Sequence, residues 1–331
     1  MRNKMKKIFI SIMLATAIIL AGCSGEVDEK VGEKTTVILD WTPNTNHTGL
    51  YVALENGYFE DEGLDVDIIQ PMEGSSTTLV ATGQGDFGVT YQEDVTYALT
   101  SEDPLPVKAI ATIIQNNTSG FASRKTANIE TVMDFEGKVY GGWGSPSEEA
   151  ILKAIMTSAG ADYDKLTNTN IGTDDFFAAT EKEIDLVWIF EGWTAIEARL
   201  RGIELNYVDI KDLDEALNYY TPILVANNDT IENNPEKVES FLRAVEKGYL
   251  YSIENPEEAA EILLKYAPEL AEELVVESQK FLAEEYMKGT DRWGVMKSEV
   301  WGNYAEFLME NGLLEKELDV DDAFTNEFLP E

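Results

Sequence analysis

Cysteine is almost missing from this chain. Cys23 is the sole one in 331 residues, so no internal disulfide and no cysteine-based metal site can exist. Histidine is equally scarce, and a lone His47 with no obvious partner base or nucleophile is weak ground for catalysis. Positive charge is thin: 25 Lys and Arg against 62 Asp and Glu leave a formal net charge of −37. Such a surface repels phosphate backbones and excludes nucleic acid as a partner. Between Asp40 and Ser101 there is no Lys or Arg at all, which counts against a small anionic ligand there. The one long apolar run, Ile8 to Leu20, is shorter than the ~20 residues that span a bilayer.

What the N-terminus does hold is an address. Arg2, Lys4, Lys6 and Lys7 precede that apolar run, as in a secretory signal, and Leu20-Ala21-Gly22-Cys23 looks like a bacterial lipobox. The likeness implies a signal peptide over 1–22, lipid on Cys23 and a polar tether over 23–33. The expectation is an extracytoplasmic, lipid-anchored, monomeric protein on the bacterial cell membrane. What remains is longer than one hydrophobic core usually sustains, so division into two lobes is expected.

From Thr36 onward short strands alternate with helices. The pattern predicts strands at Thr36–Leu39, Leu64–Ile69, Asp86–Thr90 and Val107–Ile114, with helices at Ser75–Thr82 and Glu93–Leu99. That is an α/β pattern. A second unit starts at the strand Lys138–Tyr140 and passes through Gly141-Gly142-Trp143-Gly144 into a helix over Pro146–Ala159. Ser145, Pro146 and Glu148 read there as a capping box. The glycine turn suits an anion, a neutral polar ligand or merely a tight turn; without Walker A spacing or a nearby lysine it does not indicate nucleotide hydrolysis. The units echo each other: Leu79 to Thr82 leads to Asp86 and a strand ending at Tyr91-Gln92, while Phe177 to Thr180 leads to Asp185 and a strand ending at Glu191-Gly192-Trp193. After Tyr219-Tyr220-Thr221-Pro222 comes the strand Ile223–Ala226, then a helical region. Asn234-Pro235 and Asn255-Pro256 read as capped helix starts, Val238, Phe241, Leu242, Val245 and Tyr249 as a core face, and Trp293 and Trp301 as packing.

The densest chemistry lies in Asp40-Trp41-Thr42-Pro43-Asn44-Thr45-Asn46-His47-Thr48-Gly49-Leu50-Tyr51, a loop after the first strand that runs into a helix over Leu50–Asn56. Loops after buried strands are where α/β folds keep ligands. With Glu55-Asn56-Gly57-Tyr58-Phe59, Glu62-Gly63-Leu64-Asp65-Val66, Phe190-Glu191-Gly192-Trp193 and Phe324 to Pro330, this loop resembles the periplasmic binding proteins that serve thiamine-pyrimidine transport, which share a fold with a fungal pyrimidine-forming enzyme. The Gly-Tyr-Phe…Glu-Gly-Leu part is generic to binding proteins for nitrate and sulfonates; the Asp-Trp-x-Pro-Asn-Thr-Asn-His-Thr-Gly loop is much more specific.

The resemblance implies a two-lobed periplasmic-binding-protein-like α/β fold of type II, hinged by two chain crossings. Lobe I is expected over 34–115 plus 221–331 and lobe II over 116–220. It also implies that the protein hands a pyrimidine such as formylaminopyrimidine to an ABC permease, without a cofactor or metal. A flat ring calls for aromatic faces, here Trp41, Tyr91 and Trp188; its amine calls for acceptors, Asp40 and Glu191. Asn44, Gln92 and His47 are expected to complete the polar edge, with Ser145 and Tyr220 as further candidates. Riboflavin-like rings, sulfonates such as taurine, and nitrate are the competing solutes. An enzyme is the other class, but the positions matching the fungal relative's lysine and histidine hold Thr90 and Asp94, and Tyr219 to Ala226 holds no cysteine.

Overall fold

Among the described residues, ten strands sort into two five-stranded sheets of identical plan. In a computed structural model, which describes residues 32–331 except 72, 73, 145, 173 and 174, the strands are β1 Glu33–Ile38, β2 Leu64–Ile69, β3 Phe87–Thr90, β4 Val107–Thr112, β5 Ser119–Arg124, β6 Val139–Gly142, β7 Thr167–Asn170, β8 Leu186–Phe190, β9 Leu205–Asp209 and β10 Ile223–Asn227. The signal, Cys23, most of the expected tether and Ser145 lie outside the described residues.

Lobe I carries the order β2-β1-β3-β10-β4 and lobe II β7-β6-β8-β5-β9. In each, four strands run the same way and one, β10 or β5, runs against them. One aspartate per lobe does the same work. Asp86 Oδ2 accepts the Thr36 N–H at 2.7 Å and Asp185 Oδ2 the Val139 N–H at 2.8 Å, each tying the start of its strand to the neighbouring parallel strand. The echo in the sequence is therefore structural, and it aligns Tyr91-Gln92 with Phe190-Glu191.

The chain leaves the first sheet after Thr112, enters the second at Ser119, and returns between Asp209 and Ile223. The two crossings are laced together: Asn117 N–H donates to Asn218 Oδ1 (2.9 Å), Asn218 Nδ2 to Asn116 Oδ1 (3.1 Å), and Ile113 N–H to the Pro222 carbonyl (3.0 Å). Helices cover the sheets. The helix Pro235–Glu254 buries Val238, Phe241, Leu242, Val245 and Tyr249 against lobe I. Pro235 and Pro256 do open helices, but Asn234 and Asn255 cap neither; their amides donate to Glu33 and to the Tyr251 carbonyl instead. The helix Ser298–Glu310 belongs to both cores: Trp301 packs with lobe I, while Tyr304, Ala305, Phe307 and Leu308 pack with Phe135, Leu217 and Tyr219 of lobe II. Among the described residues no helix is long and apolar enough to cross a membrane.

Candidate functional site

Parallel strands deliver their carboxyl ends to one edge of each sheet, where ligands of open α/β sheets bind. Four of the exposed large apolar side chains stand at such ends. Trp41, 59% exposed, follows β1; Ile69 ends β2; Trp143, 49% exposed, follows β6; and Phe190, 40% exposed, ends β8. Leaving large apolar surface in water at strand end after strand end is costly unless something covers it.

Asp40 anchors the lobe I side. Because β1 and β3 are parallel neighbours, Asp40 and Tyr91 emerge side by side, and the Tyr91 hydroxyl donates to Asp40 Oδ2 at 2.5 Å. The other oxygen, Oδ1, lies 2.6 Å from His47 Nε2. The Asn44 N–H donates to His47 Nδ1 at 3.2 Å, so Nε2 is the nitrogen that carries the proton Asp40 receives. Burial alone would push the Asp40 carboxyl up, but the imidazole's field and the two donated hydrogen bonds hold it below the usual carboxylate range. Burial and the adjacent Asp40 push the Tyr91 phenol well above its ordinary value, keeping it a donor.

The loop behind Asp40 is bolted down by the C-terminal helices. Asn44 caps the turn Thr45–His47, Tyr249 donates to the Asn46 carbonyl and Tyr286 to the Thr45 carbonyl, both at 2.7 Å. Trp293 stacks on Tyr249 with centroids 4.9 Å apart. Gly49 is required by this packing: a Cβ there would lie 2.4 Å from the Tyr249 ring.

Lobe II presents Glu191, which opens a π-helical turn over Glu191–Ala195, a local form enriched at functional sites. Its backbone N–H donates to the Thr118 carbonyl, while its half-buried carboxylate receives no hydrogen bond among the described residues. Burial raises its pKa; Lys211 and Lys288 oppose that, and Asp209 and Glu285 add to it. Each of these lysines is already paired, Lys211 with Asp209 and Lys288 with Glu285.

Several expected site residues do other work. Trp188 is only 8% exposed and packs between Phe121 (5.1 Å) and Trp143 (5.5 Å), so Trp143 takes the exposed position. Gln92 is buried in the hinge, where its Oε1 accepts the Tyr220 N–H at 2.9 Å. Tyr220 is core, its hydroxyl accepting the Lys297 N–H. Both nitrogens of His47 and the amide of Asn44 are engaged within the loop. Ser145 lies outside the described residues. Glu148, the expected capping-box partner, is buried and accepts from the Tyr140 hydroxyl and the Gly144 N–H. Trp143 and Phe190 join the candidate site at this edge, and their places at the ends of a glycine-rich and an apolar strand are the signal for them in the sequence.

Several helix starts at this edge are acidic, though those of Thr48–Glu55 and Ser76–Ala81 are not. Glu93 and Asp94 fill the first turn of Gln92–Thr100, Glu148 and Glu149 that of Pro146–Ser158, and Asp175 caps Phe176–Thr180. Burial, with Asp40 nearby, raises the pKa of Asp94 against the Thr90 hydrogen bond. Among the described residues no group of three or more His, Cys, Asp or Glu is arranged to hold a metal ion.

Comparison with known proteins places this geometry in context. The chain is 30% identical over 97% of its length to the formylaminopyrimidine-binding protein of Halalkalibacterium halodurans, covering 99% of that protein. It is 26% identical over 90% of its length to the riboflavin-binding protein RibY of Chloroflexus aurantiacus, covering 86% of it. It is 25% identical, over 90% of this chain and 93% of the other, to the 4-amino-5-hydroxymethyl-2-methylpyrimidine phosphate synthase of Legionella pneumophila. Among solved structures, the alkanesulfonate-binding protein SsuA of Xanthomonas axonopodis pv. citri, bound to MOPS, matches with a TM-score of 0.68 at 13% identity over 88% of this chain and 98% of that one. The nitrate-binding protein NrtA of Synechocystis PCC 6803 matches at 0.69 and 14%, over 90% and 87%. At such identities these show the fold, a two-lobed periplasmic-binding-protein fold. The NMT1/THI5-like family model matches residues 44–259, and the chain belongs to that family.

Proposed function

We propose that this protein is a non-catalytic solute-binding protein that takes a thiamine pyrimidine precursor, of the formylaminopyrimidine type, into the cleft between its lobes and delivers it to an ABC permease. The observation that carries the reading is Glu191: a half-buried carboxylate with no hydrogen bond among the described residues, near strand ends that expose Trp41, Trp143 and Phe190. A carboxylate so placed suits an amine donor, and exposed aromatic faces suit a flat ring. An aminopyrimidine offers both. The resemblance of nearly the whole chain to a formylaminopyrimidine-binding protein supports the same ligand class.

Sulfonate and nitrate fit poorly, because the helices Thr48–Glu55, Ser76–Ala81, Gln92–Thr100 and Pro146–Ser158 hold no Lys or Arg in their first turns, and two of those turns hold acids. A synthase reading fits poorly too. The buried His47 has both nitrogens engaged, and Thr90 Oγ1 is bonded to Thr77 and Asp94. The lipobox-like Cys23 supports export and a lipid anchor on the outer face of the cell membrane.

Titration calorimetry with formylaminopyrimidine, hydroxymethylpyrimidine, thiamine, riboflavin, taurine and nitrate tests the assignment. One of the two simple pyrimidines should bind tightest. Tighter binding of riboflavin or of an anion would defeat it.

A further inference from the structure

One buried hydroxyl touches the elements that carry both carboxylates of the cleft. Ser278 lies on the inner face of the helix Glu272–Glu285, fully buried. Its Oγ donates to the Gly192 carbonyl, in the turn that begins at Glu191. Because a carbonyl only accepts, the Ser278 proton is committed there. The 2.6 Å contact with Thr45 Oγ1 must then run the other way, with Thr45 donating. A directed chain results, from the Asp40–Thr48 loop of lobe I, through the helix, to the Glu191 turn of lobe II.

The surroundings are built for close approach. A Cβ on Gly192 would lie 3.1 Å from both Leu282 and Phe281, so a side chain there would make those two side chains give way by a few tenths of an ångström. Trp193, next in the turn, packs against the lobe I core. On the lobe I side the same helix leads into Tyr286, whose hydroxyl holds the Thr45 carbonyl.

We propose that Ser278 is a positioning residue that couples the two halves of the ligand site, fixing the Glu191 turn against the Asp40 loop and so favouring the closed cleft. The proposal rests on the reading of Asp40 and Glu191 as ligand-facing. Opening the lobes hands the Gly192 carbonyl to water, whereas closing without the Ser278 hydroxyl takes it from water with that donor lost. The loss therefore falls on the closed state.

Ser278→Ala is expected to weaken pyrimidine binding roughly 10-fold, the factor equivalent to about one net hydrogen bond. Nitroxide labels on Glu60→Cys and Asp164→Cys, in a Cys23→Ser background, should report longer lobe separations for Ser278→Ala without ligand. Thr45→Val, which keeps the Ser278-to-Gly192 bond, should show a smaller loss of about 3-fold and a shift in the same direction. Because both changes act through one chain, the double variant should be no worse than Ser278→Ala alone. Earlier melting of Ser278→Ala with unchanged affinity and label distance would make the contact structural and overturn the proposal. So would wild-type values for Thr45→Val should Ser278→Ala not fold. If the wild-type protein bound no pyrimidine, the ligand assignment would fall, and the label distances would still decide the coupling.

Discussion

Replacing Glu191 with Gln separates binding from stability with unusual clarity. The change keeps shape and removes charge. The side chain is half-buried and receives no hydrogen bond among the described residues, so none of them loses a partner. Burial has raised its pKa, so the folded state binds the proton more readily than the unfolded chain. Wild-type stability should therefore fall as pH rises from the ordinary glutamate value through the raised one. Glu191→Gln lacks that term, and at neutral pH it should be as stable as wild type or slightly more so. Binding should move the opposite way. A hydrogen bond from a ligand amine to a carboxylate is worth about 1.5–3 kcal/mol and one to a neutral amide about 0.5–1.5. The difference, roughly 1–1.5 kcal/mol, is about a 5–13-fold loss of affinity. Calorimetry at pH 7 reads the affinity and urea titration the stability. For wild type, affinity should fall on acidification, starting at higher pH than for an ordinary glutamate; the Gln variant should be flat over that interval. An unchanged affinity in Glu191→Gln would refute the assignment of the amine to this carboxylate.

Other substitutions separate the remaining roles. Asp40→Asn leaves one acceptor for two donors, His47 and Tyr91, and should cost about 2–4 kcal/mol shared between stability and binding, read by urea titration and calorimetry. Trp143→Ala removes a half-exposed indole, so it should lower pyrimidine affinity about 10-fold while barely moving the urea midpoint. Gly49→Ala drives a methyl into the Tyr249 ring and disturbs its bond to Asn46, at roughly 2–4 kcal/mol of stability by urea titration. Cys23→Ala should move the protein from the membrane fraction to the soluble one with unchanged affinity; persistence on the membrane after salt washing would remove the lipid anchor.

Much of the fold could be read from apolar pattern and punctuation. Leu64–Ile69 and the helix starts at Pro235 and Pro256 announced themselves, as did the echo built on Asp86 and Asp185. Strand β7 did not: Thr167–Asn170 is polar and wholly exposed on a sheet edge, so no buried face marks it. Gly141 and Gly142 read as a turn but extend β6, because Ile171 and Ile184 close over one and the Glu148 carboxylate over the other, leaving no room for a Cβ at either. At the site, residue type was legible and connectivity was not. His47, Asn44 and Gln92 looked like ligand partners, since nothing in the sequence reveals that each meets another part of the chain first. Asn44 and His47 satisfy one another locally, whereas Gln92 reaches Tyr220, far along the sequence. Trp143 and Trp188 are both tryptophans near strand ends; only the alternation of β8 decides which is covered.

The same scaffold carries anion binders among its structural relatives, so the fold alone does not choose the ligand's charge. The choice lies at the junctions between strand and helix. A helix start offers unpaired N–H groups and a positive dipole end, a standing invitation to an anion. Here the chain answers several of those invitations itself. The Glu148 carboxylate takes the Gly144 N–H, Asp175 the Ala178 N–H, and Glu93 and Asp94 crowd the start of Gln92–Thr100. With those positions filled by the protein's own carboxylates, an arriving sulfonate or nitrate would meet repulsion rather than donors. A half-buried carboxylate left over is that of Glu191, at the first position of its turn, which receives no hydrogen bond among the described residues. A solute that brings its own N–H donor and a flat apolar face would satisfy both that carboxylate and the exposed indoles, so in the proposed reading the acidity that repels anions over the surface also favours the ligand in the cleft.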